Sequence, residues 1–204
     1  MTRVKICGLR TVADARFCAD QGAEAVGVNF VASSPRSVDV DTARAIAAEV
    51  GKDVLVVGVV AGMSLDAMRA LRERTGVACL QLHGDVRAAD VEALLPHAYA
   101  AIAVATAEDA TRAAGMPGEY VMVDAKVAGV LGGTGHAFDW SLVVDLAKRR
   151  RLVLAGGLVS ANVGRAIELV RPWCVDTASG VESAPGVKDR DKIRAFIAAV
   201  RAAG

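Results

Sequence analysis

Eight short apolar runs recur along this 204-residue chain, near Val4, Ala25, Val54, Cys79, Ala100, Tyr120, Leu152 and Cys174. The parity of their side chains limits the possible folds more than any other feature. A strand points successive side chains to opposite faces. In Val4-Lys5-Ile6-Cys7 the valine and isoleucine share one face while Lys5 and Cys7 share the other. Leu80 and Leu82 oppose Gln81 and His83, Val121 and Val123 oppose Met122 and Asp124, and Val26 and Val28 oppose Gly27 and Asn29; Val175 and Thr177 oppose Cys174 and Asp176. An open parallel sheet covered by helices on both sides reads apolar on both faces. These runs carry one apolar face for overlying helices and one that gathers polar groups at the carboxyl end. That pattern predicts an α/β fold, a (β/α)8 TIM barrel with its active site at the C-terminal end of the strands. Dividing the chain among eight units leaves about 25 residues each, near the lower limit for such a barrel. Residues 1–204 are expected to form one domain, without linkers, repeats or low-complexity segments.

Helix signals fall between the runs. Thr11-Val12-Ala13-Asp14 resembles a capping box and predicts a helix to about Asp20. Asp41 is read as opening a helix over Ala43 to Val50, Ser64 one over Leu65 to Arg74, and Asp85 one reaching Leu95. Further helices are expected over Ala107 to Ala114, Asn162 to Val170 and Asp189 to Ala203, with Asp139 capping one between the sixth and seventh strands.

Composition excludes several classes of function. With 24 basic and 23 acidic residues the net charge is +1, which gives no electrostatic footprint for nucleic acid or anionic lipid. The longest apolar run, Val54 to Met63, is too short to span a bilayer, and MTRVKICGLR has no signal-peptide core. Cys7, Cys18, Cys79 and Cys174 are dispersed without metal-ligand spacing, so reduced thiols and a cytoplasmic location are expected, with no metal site. The basic run Lys148-Arg149-Arg150-Arg151 is read as a solvated face at a helix C-terminus.

At the convergent end of the barrel stand Cys7, Asn29, His83, Asp124 and Asp176. Strands one and six lie nearly opposite around a ring of eight, so Cys7 and Asp124 would face each other across a small substrate. A thiol and a carboxyl so placed can act as base and acid. The same spacing fits a structural thiol and a helix-capping aspartate, and parity does not separate the two. A cysteine base has to lose its proton near neutral pH, and Lys5 on the same face is positioned by parity to favour the thiolate. Burial of Asp124 would raise its pKa, as an acid requires.

Three glycine-rich stretches suggest an anion grip: Gly132-Gly133-Thr134-Gly135, Leu154-Ala155-Gly156-Gly157-Leu158 and Ala178-Ser179-Gly180-Val181. Loops after strands seven and eight are where many barrels bind phosphate through backbone N–H groups. Ser33-Ser34-Pro35-Arg36 presents an arginine from a proline-stiffened loop, a fork suited to a carboxylate. His83 ends a strand on the inward face, unlike His97 and His136, and is the candidate imidazole for substrate contact; Gln81 below it reads as structural.

Lys5-Ile6-Cys7-Gly8, Ser34-Pro35-Arg36, Gln81-Leu82-His83-Gly84, Gly132-Gly133-Thr134-Gly135 with Phe138-Asp139-Trp140, Leu154-Ala155-Gly156-Gly157-Leu158, and Ser179-Gly180-Val181-Glu182 with Gly186-Val187-Lys188-Asp189 follow one another in order. Together they resemble phosphoribosylanthranilate isomerase. The resemblance implies an aldose–ketose isomerase of tryptophan biosynthesis. Its substrate would be the small molecule N-(5-phosphoribosyl)anthranilate, converted by an Amadori rearrangement without metal or cofactor, and the protein would be a monomer or homodimer. It implies that Cys7 is the general base and Asp124 the general acid, that Arg36 holds the anthranilate carboxylate, and that His83 and Asp176 contact or orient the substrate. The backbones of Gly133, Gly156, Gly157, Ser179 and Gly180 would grip the phosphate. Two positions depart from the family pattern: Ala178 replaces a serine, and Val60-Ala61-Gly62 stands where a Phe and an Asn are usual. A related sugar isomerase of histidine biosynthesis would have an aspartate at position 7. A non-catalytic sugar-phosphate-binding barrel would be expected to lack Cys7 or Asp124.

Overall fold

In a computed structural model, which describes residues 1–125 and 139–204, each expected apolar run is a strand. They are β1 (Arg3–Ile6), β2 (Ala25–Asn29), β3 (Leu55–Ala61), β4 (Cys79–His83), β5 (Ala98–Val104), β6 (Tyr120–Ala125), β7 (Arg151–Leu154) and β8 (Cys174–Thr177). All eight pair in parallel in chain order, and β8 returns to β1 to close the barrel. β6 continues one residue past Asp124, because Ala125 still pairs with Val104.

Side-chain parity sorts the apolar residues into two bodies. Val4, Ile6, Val26, Val28, Leu80, Leu82, Val121 and Val123 lie in the layer between sheet and helices. Val57, Tyr99, Ala101, Met122, Val153, Ala155 and Cys174 fill the barrel interior. The helices α1 (Val12–Asp20), α2 (Val40–Val50), α3 (Leu65–Thr75), α4 (Ala88–Leu94), α5 (Ala107–Ala114), α6 (Val144–Arg149), α7 (Val163–Val170) and α8 (Arg190–Ala203) cover the outside. α8 shows the logic: Ile193, Phe196, Ile197 and Val200 recur at helical spacing and are buried, each stabilising the fold by about 1.5–3 kcal/mol.

The starts of α1, α3 and α8 lie at the expected caps, Thr11, Ser64 and Asp189. Two differ. α2 is capped by Asp39, whose carboxylate accepts from Thr42 N at 2.7 Å, while Asp41 sits inside the first turn beside Arg44. α4 starts after Arg87 rather than at Asp85. Gly84 adopts φ +86 and its carbonyl accepts from Val86 N, so the chain is still turning where a cap would be. Asp139 caps a 3-10 turn, Trp140–Val143, that leads into α6.

The basic run is exposed at Lys148 and Arg149 in the last turn of α6, as expected, and departs from a solvated face at Arg150. Arg150 is not a solvated charge: Nη1 donates to Ala114 O and Met116 O at 3.0 and 2.9 Å and Nη2 to Gly118 O at 2.6 Å, tying α6 to the turn before β6. Arg151 donates to the Tyr120 hydroxyl at 2.7 Å. A guanidinium satisfies several carbonyls at once, which a local charge pattern does not reveal.

After β8 the chain makes a second 3-10 turn, Ser179–Val181, and a short hairpin of β9 (Glu182–Ala184) and β10 (Val187–Lys188). The hairpin lies outside the eightfold pattern of the sequence and supplies two charged residues, Glu182 and Lys188, to the site. No helix among the described residues is long and apolar enough to cross a membrane.

Candidate active site

Parity delivers the polar side chains to one cavity of about 540 Å³ at the carboxyl ends of the strands. Cys7 follows β1 and is 8% exposed; Asp124, on β6, is 9% exposed. The strand order places them three strands apart, on opposite walls, and both line the cavity. The adjacent β2 makes room for the thiol. A Cβ on Gly27 would stand 2.6 Å from Cys7 Sγ and 3.2 Å from Lys5 Nζ, so only a glycine leaves both heads at the centre.

Closure of the barrel pairs Lys5 with Asp176 in register across β1 and β8, and their side chains meet at 2.9 Å. Burial favours the neutral amine of Lys5, but the charge of the Asp176 carboxylate and the hydrogen bond to it, with the charge Cys7 carries when ionised, outweigh it and hold the ammonium well above its usual pKa. Lys5 is therefore committed to Asp176, which limits what it does for Cys7. Burial pushes the Cys7 thiol up; Lys5 and Lys188 pull it down, Asp176 adds to the rise, and burial prevails.

Arg36 is held by residues from three segments. Asn29 Oδ1 accepts from Val31 N at 2.7 Å, and Ser34 Oγ accepts from Arg36 N at 3.2 Å, which shapes the loop after β2. The arginine stem then crosses Gly8, a residue at φ +76 where a Cβ would collide with Arg36 Cδ. Its Nε and Nη2 each donate at 2.8 Å to the two carboxylate oxygens of Glu182, a fork-to-fork pair. Lys188 Nζ donates to Glu182 Oε1 at 2.8 Å and to Ala178 O at 2.9 Å. The expected fork for a carboxylate is thus already engaged on one edge by Glu182. Its charge stays uncancelled, since Arg36 and Lys188 together carry one more charge than Glu182 removes.

The loops after β7 and β8 are joined to each other. Gly156 and Gly157 adopt φ +91 and +67, and Asn162 Nδ2 donates to Gly157 O at 2.9 Å while its Oδ1 accepts from Val159 N at 2.8 Å. Thr177 Oγ1 donates to Leu158 O at 2.8 Å. A Cβ on Gly180 would overlap Leu158 O and stand 2.6 Å from Thr177 Oγ1, so the two loops approach as closely as backbones can. Gly156, Gly157, Ala178 and Ser179 line the cavity wall they form.

The family model for N-(5'-phosphoribosyl)anthranilate (PRA) isomerase matches residues 4–199. The chain belongs to the phosphoribosylanthranilate isomerase family. It is 45% identical over 202 residues, 98% of this chain and 95% of the relative, to N-(5'-phosphoribosyl)anthranilate isomerase of Pseudomonas aeruginosa (strain LESB58). The crystal structure of phosphoribosyl anthranilate isomerase from Thermotoga maritima superposes with a TM-score of 0.91 at 36% identity, covering 99% of this chain and 100% of that one. A crystal structure of a phosphoribosyl anthranilate isomerase in complex with reduced 1-(o-carboxyphenylamino)-1-deoxyribulose 5-phosphate matches with a TM-score of 0.88 at 34% identity, covering 99% and 100% of the two chains.

Of the residues singled out by resemblance to this family, Cys7, Arg36, His83, Asp124, Asp176, Gly156, Gly157 and Ser179 line the one cavity, and Gly180 stands directly behind it. Gly133, with the rest of the Gly132–Gly135 stretch, lies outside the described residues. Among the departures from the family pattern, Ala61 lines the cavity without a polar group, and Ala178 keeps its carbonyl on Lys188. Among the described residues no group of three or more His, Cys, Asp or Glu side chains is placed to hold a metal ion. Sequence reasoning passed over Glu182, Lys188 and Tyr99, and read Gln81 only as structural. Glu182 and Lys188 stood in quoted motifs, but their partner Arg36 is distant in sequence. Tyr99 would have emerged had parity been applied to β5.

Proposed function

We propose that this chain catalyses the Amadori rearrangement of N-(5-phosphoribosyl)anthranilate to 1-(2-carboxyphenylamino)-1-deoxyribulose 5-phosphate, a step of tryptophan biosynthesis, and that it does so in the cytoplasm. The observation that carries the mechanism is the facing of Cys7 and Asp124 across one cavity whose third wall is the joined β7–β8 loops. Asp124 gives a proton to the furanose ring oxygen, the C1–O bond breaks, and the amine lone pair forms the Schiff base. Cys7, as thiolate, removes the proton from C2; the electrons move into the C1–C2 bond and on to nitrogen, giving an enolamine. Ketonisation then forms the C2 carbonyl and places a proton on C1, so the atoms balance without an external oxidant or reductant.

The remaining groups bind and orient. Arg36, fixed on one edge by Glu182, turns its other N–H groups to the anthranilate carboxylate. Backbone N–H groups at Gly156, Gly157, Ser179 and Gly180 receive the phosphate, which needs no hydroxyl at Ala178. Asp176 holds Lys5, and both stand below the reacting carbons.

Turnover of freshly prepared substrate, comparing the parent with Cys7→Ser and Asp124→Asn, tests the assignment. Each variant is expected to lose on the order of a hundredfold or more in kcat. A folded variant that retains parental turnover would remove that residue from the mechanism. A parent that binds the reduced product analogue without turnover would make the chain a binding barrel.

A further inference from the structure

The barrel interior contains a polar chain that the mechanism above does not use. Gln81 and Tyr99 are partners in the β4–β5 register, and both are nearly sealed from solvent, at 1% and 6% exposure. The Tyr99 hydroxyl donates to Gln81 Oε1 at 2.7 Å, and Gln81 Nε2 lies 2.6 Å from His83 Nε2. His83 lines the catalytic cavity.

The direction of donation along this chain is decided at its buried end. Tyr99 stays a neutral phenol: burial raises its pKa far above the usual value, and the opposing charge of Lys5 does not compensate. The Lys5 ammonium, whose charge acts on the phenol, has donors only and offers the hydroxyl hydrogen no acceptor. The acceptor that hydrogen finds is Gln81 Oε1. With the oxygen so engaged, the amide must present its NH2 group to the ring, and an amide nitrogen only donates. His83 Nε2 is therefore an acceptor and carries no proton. Burial lowers the imidazole pKa to about 4, so near neutral pH the ring has one hydrogen, and that hydrogen is on Nδ1.

We infer that Tyr99 and Gln81 are positioning residues that hold His83 as its Nδ1–H tautomer, so that the ring meets the bound substrate as a hydrogen-bond donor to one of its oxygens and not as a base. The inference rests on the reading of His83 as a substrate-contacting residue. It assigns proton abstraction to Cys7 alone, because the nitrogen of His83 that has a lone pair is sealed against Gln81.

The test reads the tautomer directly in protein labelled with 15N-histidine. The chain has three histidines, and a His83→Gln variant identifies the signal of interest. Two-bond 1H–15N correlation spectra of the unliganded parent at neutral pH are expected to show protonated Nδ1 and bare Nε2 at His83. Tyr99→Phe keeps the ring's volume and frees the amide to turn, so a mixture with the Nε2–H form should appear. Gln81→Glu replaces the donor by an acceptor and should put a proton on Nε2. Affinity for the reduced product analogue should drop about tenfold in Gln81→Glu, the worth of one misdirected hydrogen bond, and by less in Tyr99→Phe, in proportion to the Nδ1–H fraction that remains. An Nε2–H tautomer or an imidazolium in the parent at neutral pH would overturn the inference. So would an unchanged tautomer in Tyr99→Phe, whether or not Gln81→Glu folds. A parent that shows the Nδ1–H form but does not bind the analogue would defeat the substrate-contact reading, and with it the donor role, while leaving the tautomer assignment standing.

Discussion

Glu182→Ala is the substitution that the site geometry makes most informative. The Glu182 side chain is 4% exposed and accepts two bonds from Arg36 and one from Lys188, all at 2.8 Å. Lys188 is sealed at 1% side-chain exposure, whereas Arg36 retains 14%. Removing the carboxylate leaves two cations facing each other without a counter-charge. Breaking a buried pair in this way costs about 3–5 kcal/mol, against about 0–1 for a surface pair. Arg36 is able to relax partly toward the cavity, so the expected loss is near the lower figure, about 3 kcal/mol. With a urea m-value of roughly 2–3 kcal/mol/M, the unfolding midpoint should fall by about 1–1.5 M. Glu182→Gln keeps one acceptor and loses only the charge, and should fall in between. Equilibrium urea unfolding followed by circular dichroism measures both. A Glu182→Ala midpoint within about 0.3 M of the parent would show that the triad behaves as a surface pair. The pH dependence has a defined sign. Burial tends to raise the Glu182 pKa, but bonds from Arg36 and Lys188 prevail and lower it. Its contribution is therefore present above the unfolded pKa of about 4.3 and is lost as pH falls through the lower folded value. The parent should lose stability on acidification more steeply than Glu182→Gln.

Because burial raises the Cys7 pKa above its ordinary value, the thiolate is a minor form at neutral pH. The rate of Cys7 alkylation, followed by mass spectrometry, is expected to keep climbing as pH rises past about 8.5, and a plateau reached below about pH 7 would show that burial does not govern the thiol. Lys5→Met should strand the Asp176 carboxylate in the barrel interior, destabilising the fold by about 3–5 kcal/mol in urea unfolding, and should slow alkylation of Cys7, followed by mass spectrometry. A Lys5→Met protein with parental stability would mean that the pair is not buried as described. Gly180→Ala must push the β7 and β8 loops apart at Leu158 O and Thr177 Oγ1. It is expected to raise KM for the phosphorylated substrate about tenfold or more while changing kcat less, and an unchanged KM would detach that turn from phosphate binding.

Much of the architecture is written in near neighbours along the chain. Alternation in Val4 to Cys7, Leu80 to His83 and Val121 to Asp124 is a period-two signal that requires a strand with one apolar face, and eight such runs between amphipathic helices leave few folds open. The caps at Thr11, Ser64 and Asp189 are equally local, because a cap bonds to a backbone N–H within three residues. The same reasoning places Cys7, His83, Asp124 and Asp176 at one end of the barrel.

What the sequence does not contain is the pairing of charges across the closed structure. Arg36 and Glu182 are 146 residues apart, and Lys5 and Asp176 are 171 apart, and nothing in either segment names the other. Lys5 reads from parity as the partner of Cys7; only closure of β1 onto β8 shows that Asp176 holds it. Arg36 reads as an open fork until the hairpin after β8 brings Glu182 against it. The proton on His83 depends in turn on a phenol from the next strand. Local periodicity decides which face a side chain takes, because that follows from backbone geometry alone. Which charge it meets there, and so its pKa and its role, depends on distances that exist only once the barrel is closed.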